Sequence, residues 1–370
     1  MKKQLYFLTV AIIVFAAFIS CHNEIGGLDF SKGIIIVTNS QGFNSESYQN
    51  SPYINIEKMD GGANVDWGDG TTETVVRSSA YLSHQYSSEG SHTITIKGNV
   101  YNMRIGDSSL VNLDISKSAL ESLFLGCSGN LILNCPTLYD LSASGMYKYK
   151  GSIETLDVSG CTALKWLKCG YNQLTSLNVS GCTALEVLRC GSNQLTSLDV
   201  SGCTALKDLS CDYNQLTSLD VSRCTALESL GCSNNQLTSL DVSRCTALTQ
   251  LYCDFNQLTN LDVSGCTALE SLSCFKNQLT SLNVSGCTAL ESLNCGYNQL
   301  TSLNVSGCTA LCIDSFVLSI SSNQFSASAL NSVFATLPIR DNNPTISIWG
   351  NPGTNDCDKS IAENRGWVVE

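Results

Sequence analysis

The chain has 370 residues and a formal net charge of −12, yet only 14% of its residues are charged. An acidic chain without basic runs is a poor partner for the phosphates of nucleic acids, so we exclude nucleic-acid binding as an expected function. Five prolines and the lack of a low-complexity tail argue against long disordered linkers.

The N-terminal residues have the pattern of an export signal. A basic Lys2-Lys3 pair precedes an apolar stretch from Leu5 to Ile19, which is shorter than the ~20 residues of a membrane span. Cys21 comes two residues later, and this arrangement resembles a bacterial lipoprotein cleavage site, whose cysteine becomes the lipidated first residue. The sequence therefore predicts a signal peptide at 1–20, lipidation of Cys21 and a linker at 21–29. A plain signal peptide with a nearby cysteine is the alternative.

Residues 30–105 contain short β-rich runs separated by Gly, Asn and Ser, which predicts a small antiparallel β-sandwich. VDWGDGTTETVV looks like a hairpin, because Asp69-Gly70 tolerates the positive φ of a tight turn. The predicted strands are Gly33–Asn39, Tyr53–Met59, Asn64–Trp67, Thr72–Val76 and His92–Gly98.

Three motifs in this region resemble a PKD-type immunoglobulin-like domain. They are VDWGDGT (Val65–Thr71), HQY (His84–Tyr86) and GSHTITIKG (Gly90–Gly98). Such domains mostly act as spacers or adhesion modules in surface proteins. The resemblance implies a structural role for His84 at the edge of the sheet.

A repeat of 21 residues dominates the rest of the chain. Each copy reads LxxLxCxxNQLT, a variable small residue, then L[DN]VSxCTA. Its first eleven places fit the leucine-rich repeat pattern LxxLxLxxNxL, with Cys in the sixth place. The seven regular copies start at Leu164, Leu185, Leu206, Leu227, Leu248, Leu269 and Leu290. Looser copies start at Leu120 and Leu138, and two more follow at Leu318–Phe325 and Ile346–Gly353, each before a predicted short helix.

The array resembles internalin-like bacterial leucine-rich repeat proteins with short repeats. The resemblance implies a mainly β solenoid with a parallel sheet on its concave face, preceded by the small immunoglobulin-like sandwich. We expect divergent repeats at 106–163, regular repeats at 164–311, and divergent repeats with a C-terminal cap at 312–370. Together with the lipoprotein signal, the whole looks like a lipid-anchored protein of the outer membrane or surface of a Gram-negative bacterium.

In this family the asparagine at the ninth place forms a buried ladder of hydrogen bonds to the neighbouring backbones. The matching residues are Asn172, Asn193, Asn214, Asn235, Asn256, Asn277 and Asn298. The resemblance implies that their role is structural.

The cysteines recur at spacings of 8 and 13 residues, and they could be disulfides, metal ligands, redox groups or core side chains. Spacings of 8 and 13 do not match the short C-x₂₋₄-C spacing of zinc sites. Redox chemistry needs exposed thiolates, whereas the sixth place faces a dry core. We expect free buried thiols that act as small hydrophobes, with cross-core disulfides such as Cys161 to Cys169 as the alternative.

Function is best sought where the copies differ, at the third, fifth, seventh and eighth places, which line the concave sheet in this fold. Aromatic residues recur there, and exposed aromatics on a rigid sheet are the usual anchors of recognition. The predicted ligand-binding residues are Trp166, Lys168, Tyr171, Arg189, Asp208, Asp212, Tyr213, Tyr252, Asp254, Phe255, Phe275 and Tyr297. The alternative is that the copies drifted after duplication and the face binds nothing.

Catalysis and metal binding find little support in the sequence. No GxSxG, HExxH or P-loop motif is present, and none of the histidines (His22, His84 and His92) lies in the array. Asp60, Asp66 and Asp69 are calcium-type ligands, but acids beside a turn are more often turn formers, so we predict no cofactor or metal.

These observations predict a non-catalytic, monomeric surface recognition or adhesion lipoprotein that binds a protein partner through its concave face. The alternatives are a glycan-binding accessory lipoprotein and a structural envelope protein without a specific ligand. The spread of aromatic and charged residues along several turns favours a protein ligand over a sugar. The ligand's identity does not follow from the sequence.

Overall fold

The computed structural model describes residues 33–39, 53–84, 86, 91–107, 110–115, 118–145, 151–311 and 318–370. The predicted signal peptide, Cys21 and the linker lie outside the described residues. Within those ranges, no helix is long and apolar enough to cross a membrane. The described chain is mainly β.

The N-terminal strands pair antiparallel. They are β1 (Gly33–Asn39), β2 (Tyr53–Asp66), β3 (Thr72–Val75), β4 (Ala80–Ser83), β5 (Ser91–Asp107) and β6 (Leu110–Asp114). β1 pairs with β5 and β6, and β2 pairs with β3, β4 and β5. The sequence missed β4, and it predicted two strands where the structure has the single strand β2. The pairing of β2 with β5 shifts register between Ile56 and Ala63, and these irregularities broke the alternation in the sequence.

The predicted hairpin is present, since Asp66 at the end of β2 pairs with Thr72 at the start of β3. Its turn differs in detail from the prediction. The positive φ angles fall on Gly68 (79°) and Gly70 (93°), and not on Asp69. A Cβ at Gly68 would lie 2.3 Å from the carbonyl oxygen of Thr93, so only glycine fits there.

The remaining strands are short and belong to the array. They are β7 (Ser122–Ile132), β8 (Asp140–Ser142), β9 (Ser152–Asp157), β10 (Trp166–Lys168), β11 (Ser176–Asn178), β12 (Val187–Arg189), β13 (Asp208–Ser210), β14 (Ser229–Gly231), β15 (Leu240–Asp241), β16 (Gln250–Tyr252), β17 (Leu261–Asp262), β18 (Ser271–Ser273), β19 (Ser292–Asn294), β20 (Leu318–Ser319), β21 (Thr345–Ser347) and β22 (Val368–Val369). β8, β10, β12, β13, β14, β16, β18, β19, β20, β21 and β22 pair in parallel in that order, each strand being one turn of a solenoid. β9 and β11, and β15 and β17, pair in parallel at a later place of the repeat.

The N-terminal strands and the array share one sheet, which the sequence did not predict. The first half of β5 pairs antiparallel with β1, and its end pairs in parallel with β7, with Asn102 opposite Ser122. β7 in turn pairs with β8. β5 therefore provides the first turn of the solenoid, and the N-terminal strands close the end of the array.

The core is continuous along the array, because each repeat buries the same places. In the first regular repeat the inward residues are Leu164, Leu167, Cys169, Leu174, Leu177 and Val179, as predicted. The cysteine at the nineteenth place, such as Cys182, is also fully buried. Burying an aliphatic side chain contributes ~1.5–3 kcal/mol, so stacking many copies offsets the entropy of ordering each turn.

The ninth-place asparagines join adjacent turns through their side chains. Asn193 Nδ2 donates to the carbonyls of Cys169 and Cys190, while Asn193 Oδ1 accepts from the backbone N–H of Leu174. The pattern recurs in every regular copy from Asn172 to Asn298 and continues at Asn323. Each amide satisfies backbone groups that the curved chain would otherwise leave buried and unpaired.

Two columns of thiols run through the array, one at the sixth place and one at the nineteenth. All seventeen cysteines whose state the structure describes are free, and those from Cys161 to Cys308 are buried. Burial raises the pKa of Cys203 to about 12, and the neighbouring thiol Cys224 adds to the effect. The nineteenth-place thiols lie against backbone carbonyls, as Cys182 Sγ does 3.2 Å from the carbonyl oxygen of Val158.

Two helices and the last strands close the C-terminal end. α1 (Ala327–Thr336) is capped at its N-terminus by Ser326, whose side chain accepts from the backbone N–H of Ala329. α2 (Ser360–Glu363) follows, and Trp367 is buried beneath the cap with its Nε1 donating to the carbonyl of Pro338. Both helices were predicted, whereas β22 as a final turn of the sheet was not.

Candidate functional site on the concave sheet

Each turn of the array presents its third and fifth places on the concave sheet, because the fourth place between them points into the core. In β12, Val187 and Arg189 flank the buried Leu188. The strands are in register, so equivalent places of successive repeats form columns. Neighbouring residues within a column are ~4.8 Å apart, which is the spacing of adjacent strands. The seventh and eighth places extend these columns beyond the end of each strand.

The eighth place has a left-handed backbone in every regular repeat. Its φ angles lie between 52° and 59° at Tyr171, Ser192, Tyr213, Asn234, Phe255, Lys276 and Tyr297. This conformation costs a non-glycine residue roughly 1–2 kcal/mol, and asparagine tolerates it best. Four of these residues are nevertheless large aromatics, and Tyr213 is 61% exposed. Aromatic side chains are thus held in solvent at a place where asparagine or glycine would strain the backbone less.

The first half of the concave face carries mixed charge and tyrosines, which we call the central patch: Lys168, Tyr171, Arg189, Asp208, Tyr213 and Tyr252. Arg189 donates to Asp208 on the next strand, with Nη2 2.7 Å from Oδ2. One depression of about 440 Å³ contains Lys168, Tyr171 and Tyr213. Gly170 and Gly191, at the seventh place of two successive copies, also line it and add no side chain to it.

A second depression of about 690 Å³ continues the central patch along the sheet. Arg189 and Asp208 lie at one end and Tyr252 at the other, with Ser229 and Gly231 between them. The structure thus places all six residues of the central patch around two adjoining hollows. Their volumes fall within the ~300–1,000 Å³ range of ligand pockets.

Two predicted site residues, Asp212 and Asp254, also bind the neighbouring turn. Asp212 Oδ1 accepts from the backbone N–H of Ser233, and Asp254 Oδ1 accepts from that of Phe275. Burial raises the pKa of Asp254 despite these bonds. A Cβ at Gly231 would lie 2.6 Å from Asp212 Oδ2, so the glycine makes room for that carboxylate. These acids help to join successive seventh places, a role that the sequence did not indicate.

The second half of the face carries a row of aromatic rings, which we call the aromatic row: Phe255, Phe275, Tyr297 and Trp349. Adjacent ring centroids are 5.4, 5.0 and 5.4 Å apart, at tilted or edge-to-face angles. Lys276 Nζ lies 4.9 Å from the centroid of Phe255. The sequence did not single out Trp349, although it occupies the seventh place of the divergent copy ISIWGNPG.

Trp166 stands apart from both groups, at the N-terminal end of the face. Its ring packs edge-on against Tyr139, with the centroids 4.4 Å apart, and Lys165 Nζ lies over the same tyrosine. Tyr139 belongs to the looser copy that starts at Leu138, and sequence reasoning missed it because that copy is irregular. Trp166 therefore has a packing partner in addition to its predicted binding role.

The acids considered for calcium lie in the N-terminal part, where Asp69 is already engaged. Thr71 donates to Asp69 Oδ1 from its hydroxyl and its backbone, and His84 Nε2 lies 2.7 Å from Asp69 Oδ2. The bonds from Thr71 and His84 hold the pKa of Asp69 well below its usual range. His84 also stacks on Trp67 at 4.9 Å. The described residues contain no cluster of three or more His, Cys, Asp or Glu side chains able to hold a metal ion.

Comparison with known families matches the array and not the N-terminal strands. Residues 183–224, 225–265 and 267–307 each match the model described as leucine rich repeats in two copies. The array is a leucine-rich repeat solenoid. The matched residues are about a third of the chain, and the comparison with curated proteins gives no match.

Solved leucine-rich repeat structures resemble the chain. The functional domain of InlJ from Listeria monocytogenes, described as including a cysteine ladder, is 25% identical, with 65% of each chain covered and a TM-score of 0.40. A leucine-rich repeat protein of Leptospira interrogans is 19% identical, with 69% of this chain and 79% of that chain covered and a TM-score of 0.48. The internalin InlF of Listeria monocytogenes is 20% identical, with 69% and 67% covered and a TM-score of 0.46. The chain thus spans somewhat less than two thirds of the InlJ structure.

Proposed function

We propose that this protein is a non-catalytic recognition or adhesion protein whose leucine-rich repeats bind a protein partner through the central patch. The observation that carries the proposal is made at the eighth place of the repeat. The backbone there is left-handed, and tyrosines are exposed at this place although the conformation costs free energy. The repeat fixes this conformation in every regular copy, and strained positions of this kind cluster at functional sites.

The composition of the central patch favours a protein as the ligand. Tyrosine and arginine are the residues most enriched at the anchoring positions of protein interfaces. Here Tyr171, Tyr213 and Tyr252 surround Arg189, which is paired with Asp208 at the exposed surface. Complementary charges on a partner would set the register of the complex and its association rate.

We further propose that the protein is exported, lipid-anchored through Cys21 and acts as a monomer at the outer membrane or cell surface. The N-terminal signal pattern supports this localisation, as does the resemblance to internalin-like repeats. A PKD-like role for the N-terminal strands belongs to the same proposal. Metabolic labelling with a palmitate analogue tests the anchor, and the Cys21→Ala variant should lose the label.

The test of function is a binding screen of the chain from His22 onward against a panel of extracellular proteins. Tyr213→Ala should weaken a specific interaction at least tenfold, because anchor residues contribute 2 kcal/mol or more. Arg189→Ala has a matched control in Arg223→Ala, an exposed arginine on a different side of the repeat. Equal affinities for the Arg189 and Arg223 variants, together with an unaffected Tyr213 variant, would contradict the proposal.

A further inference from the structure

The C-terminal end of the concave sheet contains a cavity of about 430 Å³ that lies apart from the central patch. Phe275 and Trp349 stand on its two sides, at the seventh places of two turns that are three turns apart. The seventh places between them are Gly296 and Ser321, which leave the gap open. Tyr297 packs edge-to-face against both Phe275 and Trp349, with ring centroids 5.0 and 5.4 Å away, and so braces the two aromatic walls.

The remaining wall of the cavity is polar and mostly uncharged. Asn294, Ser319 and Ser347 occupy the fifth places of successive turns, and Glu370 continues the column. Ser319 Oγ is paired with Ser321 Oγ at 3.0 Å. Among the residues described, neither Asn294 Nδ2 nor the hydroxyl of Ser347 nor the Glu370 carboxylate forms a hydrogen bond. These groups face the cavity with donors and acceptors unused.

Aromatic walls opposite a row of amide and hydroxyl groups suit a ligand with both an apolar face and many hydroxyls. A pyranose ring has this character, since its C–H face packs on an aromatic ring while its hydroxyls exchange hydrogen bonds with side chains. A quaternary ammonium ligand would use the aromatic rings and the carboxylate, but it would leave the amide and hydroxyls unpaired. Because this polar wall is mostly uncharged, it favours a saccharide over a quaternary ammonium ligand.

We propose that this cavity is a saccharide-binding site, in which Phe275 and Trp349 hold a sugar ring and Asn294, Ser347 and Glu370 bind its hydroxyl groups. This site is separate from the central patch and does not depend on the proposed protein-binding function. A saccharide held here leaves the central patch free for a protein.

The probe is a glycan array of oligosaccharides of glucose, galactose, mannose and N-acetylglucosamine, followed by isothermal titration with the best binder. Trp349→Ala should weaken binding about tenfold or more, and Asn294→Ala severalfold. Trp349→Phe should retain most of the affinity because it keeps an aromatic wall. Tyr213→Ala, an exposed aromatic of the central patch, should leave the affinity unchanged, and thermal unfolding checks that each variant is folded.

Three outcomes would overturn the proposal. The first is that the array shows no saccharide binding while the protein is folded. The second is that Trp349→Ala binds as tightly as the unchanged chain, which would place the sugar elsewhere. The third is that choline, tested in parallel, binds in a Trp349-dependent manner where the sugars do not. Loss of protein binding in the Tyr213 variant with intact sugar binding would leave the two sites independent, as proposed.

Discussion

The buried thiols predict an unusually steep loss of stability at alkaline pH. Fifteen cysteines from Cys161 to Cys308 are buried in the array, and burial raises their pKa, for example to about 12 at Cys182 and Cys203. An unfolded cysteine ionises near pH ~8.5. When the pKa of a thiol is higher in the folded state than in the unfolded state, its contribution to stability is fully present below the unfolded-state pKa. This contribution is lost progressively as the pH rises from the unfolded-state pKa to the folded-state pKa.

The size of the effect follows from the number of thiols. At one pH unit above the unfolded pKa, each buried thiol lowers the free energy of unfolding by about 1.4 kcal/mol. Fifteen thiols therefore lower it by about 20 kcal/mol near pH ~9.5. Typical domains have only ~5–15 kcal/mol of stability. We therefore expect the array to unfold between about pH 8.5 and 10, in a transition that releases many protons together.

The assay combines circular dichroism with thiolate absorbance near ~240 nm, under reductant and without oxygen. Both signals should change in one step, because the thiols ionise only when the array opens. Cys232→Val with Cys253→Val should lower the pH dependence of the unfolding free energy by about 2.7 kcal/mol per pH unit. Thiolate absorbance that rises gradually near pH ~8.5 while the circular dichroism stays native would refute the reasoning, since it would mean exposed thiols.

Three further predictions concern single residues. Tyr213→Asn should stabilise the array by about 0.5–1 kcal/mol in urea unfolding, because asparagine tolerates the left-handed eighth place as Asn234 does; a loss of stability would contradict the strain. Asn214→Ala should cost about 3 kcal/mol, since it leaves buried backbone groups of its own turn and of the preceding turn unpaired, whereas exposed Gln215→Ala should cost under ~0.5 kcal/mol. Gly231→Ala should destabilise the chain, and the loss should shrink in an Asp212→Ala background, because the added methyl meets that carboxylate; equal losses in both backgrounds would exclude the clash.

The regular repeats could be predicted because their residues report directly on burial. A period of 21 residues with apolar residues at fixed places fixes the inward face, and hence the concave places as well. Leu167 and Leu188 are buried and Lys168 and Arg189 are exposed, as the alternation within a strand requires.

The rest depended on contacts between distant parts of the chain. Nothing in the alternation of HTITIKG shows that β5 continues to Asp107 and pairs in parallel with β7. Likewise, the aromatic row joins Tyr297 to Trp349 across two divergent copies whose spacing is irregular. The sequence also does not show backbone dihedral angles. It identifies Tyr213 as a variable residue, but only the structure shows that its backbone is left-handed.

The most direct test of the recognition face is hydroxyl-radical footprinting of the complex with a partner from the binding screen. Tyr213 on the central patch and Tyr81 on β4 are matched probes, because they are 61% and 66% exposed in the free chain. We expect the partner to protect Tyr213 and Tyr252 while Tyr81 keeps its reactivity. Protection of Tyr81 with Tyr213 and Tyr252 still fully reactive would contradict it.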